Sequence, residues 1–545
     1  MEVDSLIRKY ALINATAHSG RPQPKSVLGK LLAEHPELRK DIMEIKSRIE
    51  LACEEIGRLD QKKQLAELDA LGGYEEPRRI EKKGLEELER GRSFVVRFAP
   101  NPDGALHLGN ARPAVLCDEY AKMYKGRFIL RFDDTDPKVK VPEKIFYRWA
   151  REDLRWLKIK WHKEVICSKR LNIYYKHAES LVRSGNAYVC LCGEKWKAYR
   201  DKGSACPCRH ADAKANMKRW KDILSHNYKE GEAVLRIKTD MQAKNPAVRD
   251  WPAMRIVDKP MHPLSKRHIW PLYNFASAID DHVLGVTHIM RGQEHSTNET
   301  KQRYLYEHMG WHYPDTITLG RFSLSGMVLS KSQIREGISR HKFTGWDDLR
   351  LGTLRALRRR GFQPDALRHI IHDIGVKPSD ITVSMENLSA YNRKIIDSTA
   401  NRYFFIPEPK KIAVIGLRLR SVKLPMHPNF RRGFRRFLLG KYFYIDAKDF
   451  KSYKGVEVRL KELCNVKLGE ISELTGMEVK PIPKIQWVPE KHISIRVEMP
   501  EKHINGYAEG SLARAKAGEI VQFERFGFVR IEKPGRNVAT VFCHE

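Results

Sequence analysis

Two short segments, separated by nearly the whole middle of the chain, constrain its fold more than any other feature. The first runs from Arg97 to Asp136 as RFAPNPDGALHLGNARPAVLCDEYAKMYKGRFILRFDDTD, and the second reads MVLSKSQI from Met327. Phe94 to Phe98 form an apolar run bounded by turn residues, which predicts a buried strand. Pro100, Pro102 and Gly104 stop that strand and force a tight loop. Beyond it Leu108, Ala111, Val115, Leu116 and Tyr120 recur at helical spacing. His107 and Asn110 then fall in the first turn of a helix, where unpaired N–H groups and the helix dipole favour phosphate. Gly109 lets a ring or a ribose approach the backbone. In the second segment Lys331 stands between Ser330 and Ser332, ahead of helical sequence. A loop cation can deliver charge to a triphosphate as the transition state forms. Singly, each motif has an ordinary explanation, a surface histidine or a solvated loop. Jointly they predict a split α/β sheet whose two halves meet on one nucleotide, and ATP-driven activation of a carboxylate.

Lysine and arginine exceed aspartate and glutamate by 100 − 68 = 32 in 545 residues. An excess of that size points to a polyanionic partner, because each phosphate contact releases condensed counterions. A salt-tolerant surface would balance the two signs. No apolar stretch approaches the roughly 20 residues that span a bilayer, and MEVDSLIRKYA is not a signal peptide. The expectation is therefore a cytoplasmic protein with a nucleic-acid partner and no membrane.

Nine cysteines make an odd count, and Cys53, Cys117, Cys167, Cys464 and Cys543 are scattered singly, which argues against a disulfide scaffold. The other four form Cys190-Leu-Cys192 and Cys206-Pro-Cys208, two thiol pairs that can surround a tetrahedral Zn²⁺. His210 is an alternative ligand, and plain reduced thiols are the other reading. With four protein ligands such a zinc would be structural.

Six regions follow from the texture of the chain. Residues 1–92 are rich in Leu, Glu, Lys and Arg at helical period, as in LRKDIMEIKSRIELACEEIGRLDQKKQLAELDAL; they read as a helical appendage, either a module for protein or RNA partners or a solvated helical hairpin. Residues 93–185 alternate strand and helix, as half of a parallel sheet does. Residues 186–265 hold the cysteines and look inserted. The α/β signal resumes over 266–335. Residues 336–400 are helical and basic, with LRALRRRGF the densest arginine cluster. From 401 to 545 short alternating strands predict antiparallel β-barrels. Basic and aromatic residues interleave there, which suits single-stranded RNA, although Tyr442, Phe526 and Phe528 serve equally as barrel core.

With those segments read, the chain resembles the glutamyl-tRNA synthetases of the archaeal and eukaryotic type, which are related to glutaminyl-tRNA synthetases. The resemblance rests on RFAPNPDGALHLGN, GRFILRFDDTDP, AYVCLC with ACPCR, NPAVRDWPAMRI, DDHVLGVTHIMRGQEH, LSKSQI, GWDDLRLGTLRALRRRGF, YNRKIID and VQFERFGF, all collinear. Pro100 to Asn110 corresponds to the family's HIGH motif, and VLSKS to its KMSKS motif. Two positions depart: Asn110 stands for the second histidine, and Val328 for the first lysine, which leaves Lys331 as the only loop cation.

The resemblance implies a multidomain protein. It would have a Rossmann-type class I catalytic domain, an inserted acceptor-stem-binding domain, a helical connector and a β-barrel anticodon-binding region. It implies ATP and Mg²⁺ as requirements, formation of glutamyl-adenylate, and transfer to the 3′ end of tRNA(Glu), or also tRNA(Gln), with tRNA bound before the first step. It assigns Arg97, Asp133, Tyr273, Ser277 and Arg291 to glutamate, with Asp133 on the α-ammonium group and Arg291 on the side-chain carboxylate. It assigns His107, Gly109, Asn110, Glu294, Ser330, Lys331 and Ser332 to ATP, of which His107, Asn110 and Lys331 stabilise the phosphates. A guanidinium pairs with a carboxylate but leaves an uncompensated charge against an amide, so Arg291 favours glutamate over glutamine. Against these assignments, Asp133 could be a helix cap or ion-pair partner, and Arg291 could pair with Asp280 or Asp281. The competing functions are a glutaminyl-tRNA synthetase, a tRNA-modifying paralogue that glutamylates a base, and a non-catalytic tRNA-binding paralogue.

Overall fold

The computed structural model describes residues 3–17, 20–71, 85–88 and 93–545. Part of the expected N-terminal helical region, residues 72–84 and 89–92 among them, lies outside the described residues. The chain divides into two units, Met1–Gly84 and Leu85–Glu545.

The first unit contains helices α1 (Val3–Ala17), α2 (Pro24–Glu34), α3 (Ile42–Gly57) and α4 (Gln61–Ala70). In α3 the buried residues Ile45, Ile49, Cys53 and Ile56 follow a period of three to four, the spacing that puts one apolar stripe on a helix. That stripe meets Ile7, Leu12 and Leu31 in a core of the unit's own. Asp60 starts α4 by accepting a hydrogen bond from the Lys63 N–H at 2.8 Å.

The second unit is organised by a parallel sheet. Strands β1 (Val95–Phe98), β2 (Arg127–Phe132) and β3 (Lys163–Ile166) are laid down in sequence. The chain then leaves to build an antiparallel sheet from β4 (Ala187–Cys190), β5 (Val234–Ile237), β6 (Pro252–Ile256) and β7 (Ile269–Pro271). It returns with β8 (His288–Gly292) and β9 (Asp315–Leu319) on the other side of β1, giving the order β3-β2-β1-β8-β9 with every pairing parallel. All four residues of β1 are buried, as expected for a central parallel strand covered on both faces. The strand order reverses at β1, so a crevice opens beyond the C-terminal ends of β1 and β8, where open α/β sheets bind ligands. Helix α5 (Leu108–Met123) follows β1 directly, and Leu108, Ala111, Val115 and Leu116 join Phe98, Phe132 and Leu354 in the core beneath that crevice.

After β9 the chain forms helices Lys331–Ser339, Leu354–Arg359, Pro364–Ile374 and Met385–Ile396. A strand pair interrupts the all-helical connector expected there: Ile381–Val383 pairs in parallel with Phe322–Leu324. Three residues are too few to display a period, which is why the pattern hides them.

Two seven-stranded sheets and a two-stranded hairpin, Ser421–Pro425 with Phe434–Leu438, make up the C-terminal part of the chain. Most pairings are antiparallel, with parallel ones such as Asn401–Tyr403 against Ile520–Phe523. The segment Tyr403–Ile406 is shared between two cores. Tyr403 and Phe405 enter one with Val521 and Phe523, while Phe404 and Ile406 enter the other with Phe443 and Trp487. The alternation of side chains along an extended segment does this without any special device. Phe528 is fully buried, so that ring is core and does not stack on RNA.

Candidate active site

The two signature segments meet. His107 is the residue that precedes α5, and its backbone N–H donates to Asn110 Oδ1 at 3.1 Å, so Asn110 holds the helix start in shape. Lys331 opens its own helix and sends Nζ to the turn after β1, donating to the Asn101 carbonyl at 2.9 Å and to Asp103 Oδ1 at 2.7 Å. A third segment, residues 346–354, splices the two together. The Leu108 N–H donates to the Gly352 carbonyl at 3.0 Å, and the Gly352 N–H donates to the Val328 carbonyl at 3.0 Å. Leu354 N–H closes the strip on the Leu106 carbonyl at 2.8 Å. The resemblance had picked out GWDDLRLGTLRALRRRGF as a match, but no periodicity in it signals a backbone splice.

Two glycines are needed for this packing. A Cβ on Gly104 would lie 2.6 Å from Trp346 and 3.1 Å from the Lys331 stem. A Cβ on Gly109 would lie 2.9 Å from the His107 ring and 3.1 Å from the Phe322 carbonyl. Gly109 therefore makes room for the protein itself, a reason the sequence did not disclose. Burial, and secondarily the charge of Lys331, pushes the His107 imidazole down to about 4, so the ring is neutral at physiological pH. Its Nδ1 is buried without a hydrogen-bond partner. Burial also pushes the Lys331 ammonium below its ordinary value, against the opposing pull of Asp103. Ser330 and Ser332 are exposed at the mouth of the loop, with their hydroxyls 3.0 Å apart.

The other end of the crevice is a lattice of buried charge. Arg97 from β1 donates to Asp281 through Nε at 3.0 Å and Nη2 at 3.3 Å. Arg131 from β2 donates through Nη1 to the same carboxylate at 2.6 Å, and grips Asp133 with Nε at 2.6 Å and Nη2 at 3.2 Å. Its Nη2 also reaches the Ser277 hydroxyl at 2.9 Å. Asp133 is thus an ion-pair partner, and Ser277 a buried contact of Arg131. Neither Arg131 nor Asp281 was singled out from the sequence for such a role. Burial alone would raise the Asp281 carboxyl, but Arg131 and Arg97 hold it below its usual range. Tyr273 is 37% exposed at the rim. Glu294, also exposed, folds back over Gly292, where a Cβ would meet its oxygens at 2.5 Å.

Arg291, at the end of β8, differs from its neighbours. It is 6% exposed, donates through Nη2 to Gln302 Oε1 at 3.0 Å, and leaves Nε and Nη1 buried without partners. Among the described residues it forms no ion pair with Asp280 or Asp281: Asp280 is held by Arg170 at 2.9 Å, and Asp281 by Arg97 and Arg131. Three guanidinium groups (Arg97, Arg131, Arg291) and two carboxylates (Asp133, Asp281) leave these five groups with one positive charge in excess, and Arg291 is the one without an ion-pair partner among the described residues. A buried uncompensated charge is costly unless an anion meets it.

The four cysteines also converge. The sulfurs of Cys190, Cys192, Cys206 and Cys208 all lie within 4.8 Å of one another, and His210 is not among this group. Sγ–Sγ separations of 4.0 Å (Cys190–Cys206) and 3.6 Å (Cys192–Cys208) bracket the roughly 3.8 Å that four thiolates about 2.3 Å from one zinc would adopt. The residues present fit that ion.

A nucleotide-type crevice at the reversal of a parallel sheet, flanked by HLGN and LSKS segments, defines a class I aminoacyl-tRNA synthetase. The model of the catalytic domain of class I tRNA synthetases (E and Q) matches residues 93–398, and the two anticodon-binding domain models of the same group match residues 400–482 and 484–532. The chain belongs to the E and Q family of class I tRNA synthetases. It is 52% identical to a glutamate–tRNA ligase of Pyrococcus abyssi, 51% to one of Pyrococcus furiosus and 50% to one of Thermococcus kodakarensis, each alignment covering 100% of both chains.

Proposed function

We propose that this chain is a glutamate–tRNA ligase, which joins L-glutamate to tRNA at the expense of ATP, supplied as its magnesium complex. The observation that carries the glutamate assignment is Arg291, buried with Nε and Nη1 unpartnered in a lattice one positive charge in excess. Zwitterionic glutamate, with two carboxylates and one ammonium group, supplies the one missing negative charge. Glutamine would leave the Arg291 charge without compensation, and a mismatch of that kind discriminates strongly.

In this reading the side-chain carboxylate of glutamate takes the open edge of Arg291, while Arg97, Tyr273 and the Asp133–Arg131 pair orient its α-groups. The α-carboxylate oxygen attacks the α-phosphorus of ATP, and the bond to the bridging oxygen breaks to release pyrophosphate. His107, neutral, donates to phosphate oxygens, and Lys331 supplies positive charge as negative charge moves to the leaving group. Gly109 and Glu294 frame the adenosine, with Ser330 and Ser332 at the phosphate mouth. The terminal ribose hydroxyl of tRNA then attacks the glutamyl carbonyl, AMP leaves, and the proton passes to phosphate or solvent. Residues 186–265 receive the acceptor stem and residues 401–545 the anticodon, in keeping with the net charge of +32. Zn²⁺ on the four cysteines would brace the acceptor-binding insertion and takes no part in the chemistry.

Aminoacylation with purified tRNA(Glu) and tRNA(Gln), each offered glutamate and glutamine, is the test. Glutamylation of tRNA(Glu) is expected; charging with glutamine alone, or no charging, would overturn the reading. Metal analysis should find one zinc per chain, lost in Cys206→Ser; a folded, metal-free wild-type protein would refute the zinc assignment.

A further inference from the structure

The loop lysine is not waiting in solvent. Its Nζ is bound to a carboxylate, Asp103 Oδ1 at 2.7 Å, and to the Asn101 carbonyl at 2.9 Å, with the Lys331 and Asp103 side chains only 20% and 15% exposed. Arg335, one helical turn on, donates to the Asp103 carbonyl and to Glu143 Oε1 at 2.7 Å, so the first turn of the helix lies on the 101–103 turn. An ammonium group has three donors, and two are occupied here before any nucleotide arrives. Close by, His107 Nδ1 and Asn101 Oδ1 are buried without partners. The same corner of the crevice thus brings together one cation held by protein and two buried polar atoms without partners. One donor remains for phosphate, and to turn more of its charge toward a triphosphate Lys331 must release its carboxylate.

We propose that Asp103 is a positioning residue that stands in for phosphate: its carboxylate holds Lys331 at the nucleotide site in the free enzyme and yields it to the triphosphate of ATP. This rests on the reading of Lys331 as an ATP contact. The arrangement has a direct consequence. ATP competes with an internal anion for its own cation, so the Asp103 charge weakens ATP binding while keeping the loop close enough to respond. A single carboxylate in a partly exposed pair gives way readily to a polyphosphate, because such pairs contribute little on their own. The turn residue therefore sets the ATP concentration at which the enzyme works. It does so without touching glutamate, whose candidate ligands lie in the separate Arg97–Asp281 lattice.

Asp103→Asn tests this, because it keeps the side chain's shape and removes its charge. Pyrophosphate exchange with tRNA present, and ATP binding by calorimetry, are measured on wild type, Asp103→Asn, Lys331→Ala and the double variant. Asp103→Asn is expected to lower both the KM and the Kd for ATP by about two- to fivefold, with the KM for glutamate unmoved. In the Lys331→Ala background the same change should do nothing to ATP affinity. An unchanged or weaker ATP affinity in Asp103→Asn overturns the proposal. So does an equal gain in the Lys331→Ala background, which would make Asp103 a plain repulsive charge. A Lys331→Ala enzyme with wild-type exchange would instead remove the reading on which the proposal stands.

Discussion

At the end of the crevice proposed to hold the amino acid, Arg97 and Arg131 reach Asp281 from adjacent strands, and none of the three side chains is more than 5% exposed. At the other end, where phosphate is proposed to bind, Lys331 reaches Asp103 from the first residue of its helix, with 20% and 15% exposure. The two pairs have similar lengths, yet they differ in what supports them. The first sits on β1, β2 and the helix Tyr273–Val283, and shares charges among several partners. The second joins a helix start to a turn, and the chain on either side, at Val328 and Leu108, is tied together by backbone hydrogen bonds through Gly352. Selection of one amino acid calls for a pocket that does not deform, whereas turnover of a nucleotide calls for contacts that break and re-form. On the proposed roles, two strands and a buried helix serve the first, and a helix start facing a turn serves the second.

The largest effect should come from breaking the buried lattice. Asp281→Ala strands the Arg97 guanidinium, takes one of two carboxylates from Arg131, and is expected to cost about 3–5 kcal/mol of stability, read as a lowered urea midpoint. Asp103→Ala should cost about 1 kcal/mol or less in the same assay. Equal losses would erase the contrast between the two ends.

Next comes the charge that the lattice leaves open. Arg291→Gln should lower kcat/KM for glutamate by about a thousandfold, near 4 kcal/mol, with a much smaller change in the KM for ATP. Comparable losses in both substrates would show that Arg291 supports the sheet generally and does not grip a carboxylate. Lys331→Ala should reduce kcat for pyrophosphate exchange by about a hundredfold with little loss of ATP binding, because in wild type the phosphate contact is offset by the Asp103 contact given up for it.

How far these sites could be read from the sequence follows from the kind of contact involved. The strand before Pro100, the helix after His107 and the strands beyond residue 401 announce themselves by period and by turn residues, and the collinear motifs identify the family. Arg291 could be singled out because the role proposed for it is chemical: a cation where a neutral residue would suit an amide. Asp281 and Arg131 could not, since a buried aspartate at the end of a helix reads like any other until the helix is laid across β1 and β2. Nor could Asp103, whose significance depends on a lysine 228 positions away. The strand Ile381–Val383 is hidden for a related reason, because its partner, Phe322–Leu324, lies far off in sequence and neither is long enough to show a period.

His107 offers the smallest and most specific test of the phosphate end. Burial among Lys331 and its neighbours lowers its imidazole to about 4 from an ordinary value near 6.5. Between those two pH values the unfolded chain holds a proton on this ring and the folded chain does not. Stability therefore falls as pH drops from about 6.5 toward 4, and above 6.5 the ring contributes no pH dependence. His107→Asn removes that component, so its urea midpoint should change less between pH 7 and pH 5 than that of wild type. The difference should be modest against the other titrating groups, which both proteins share. Equal pH slopes would mean that the ring is solvated and titrates normally, and the phosphate end would then be more open than the Lys331 and Asp103 contacts make it.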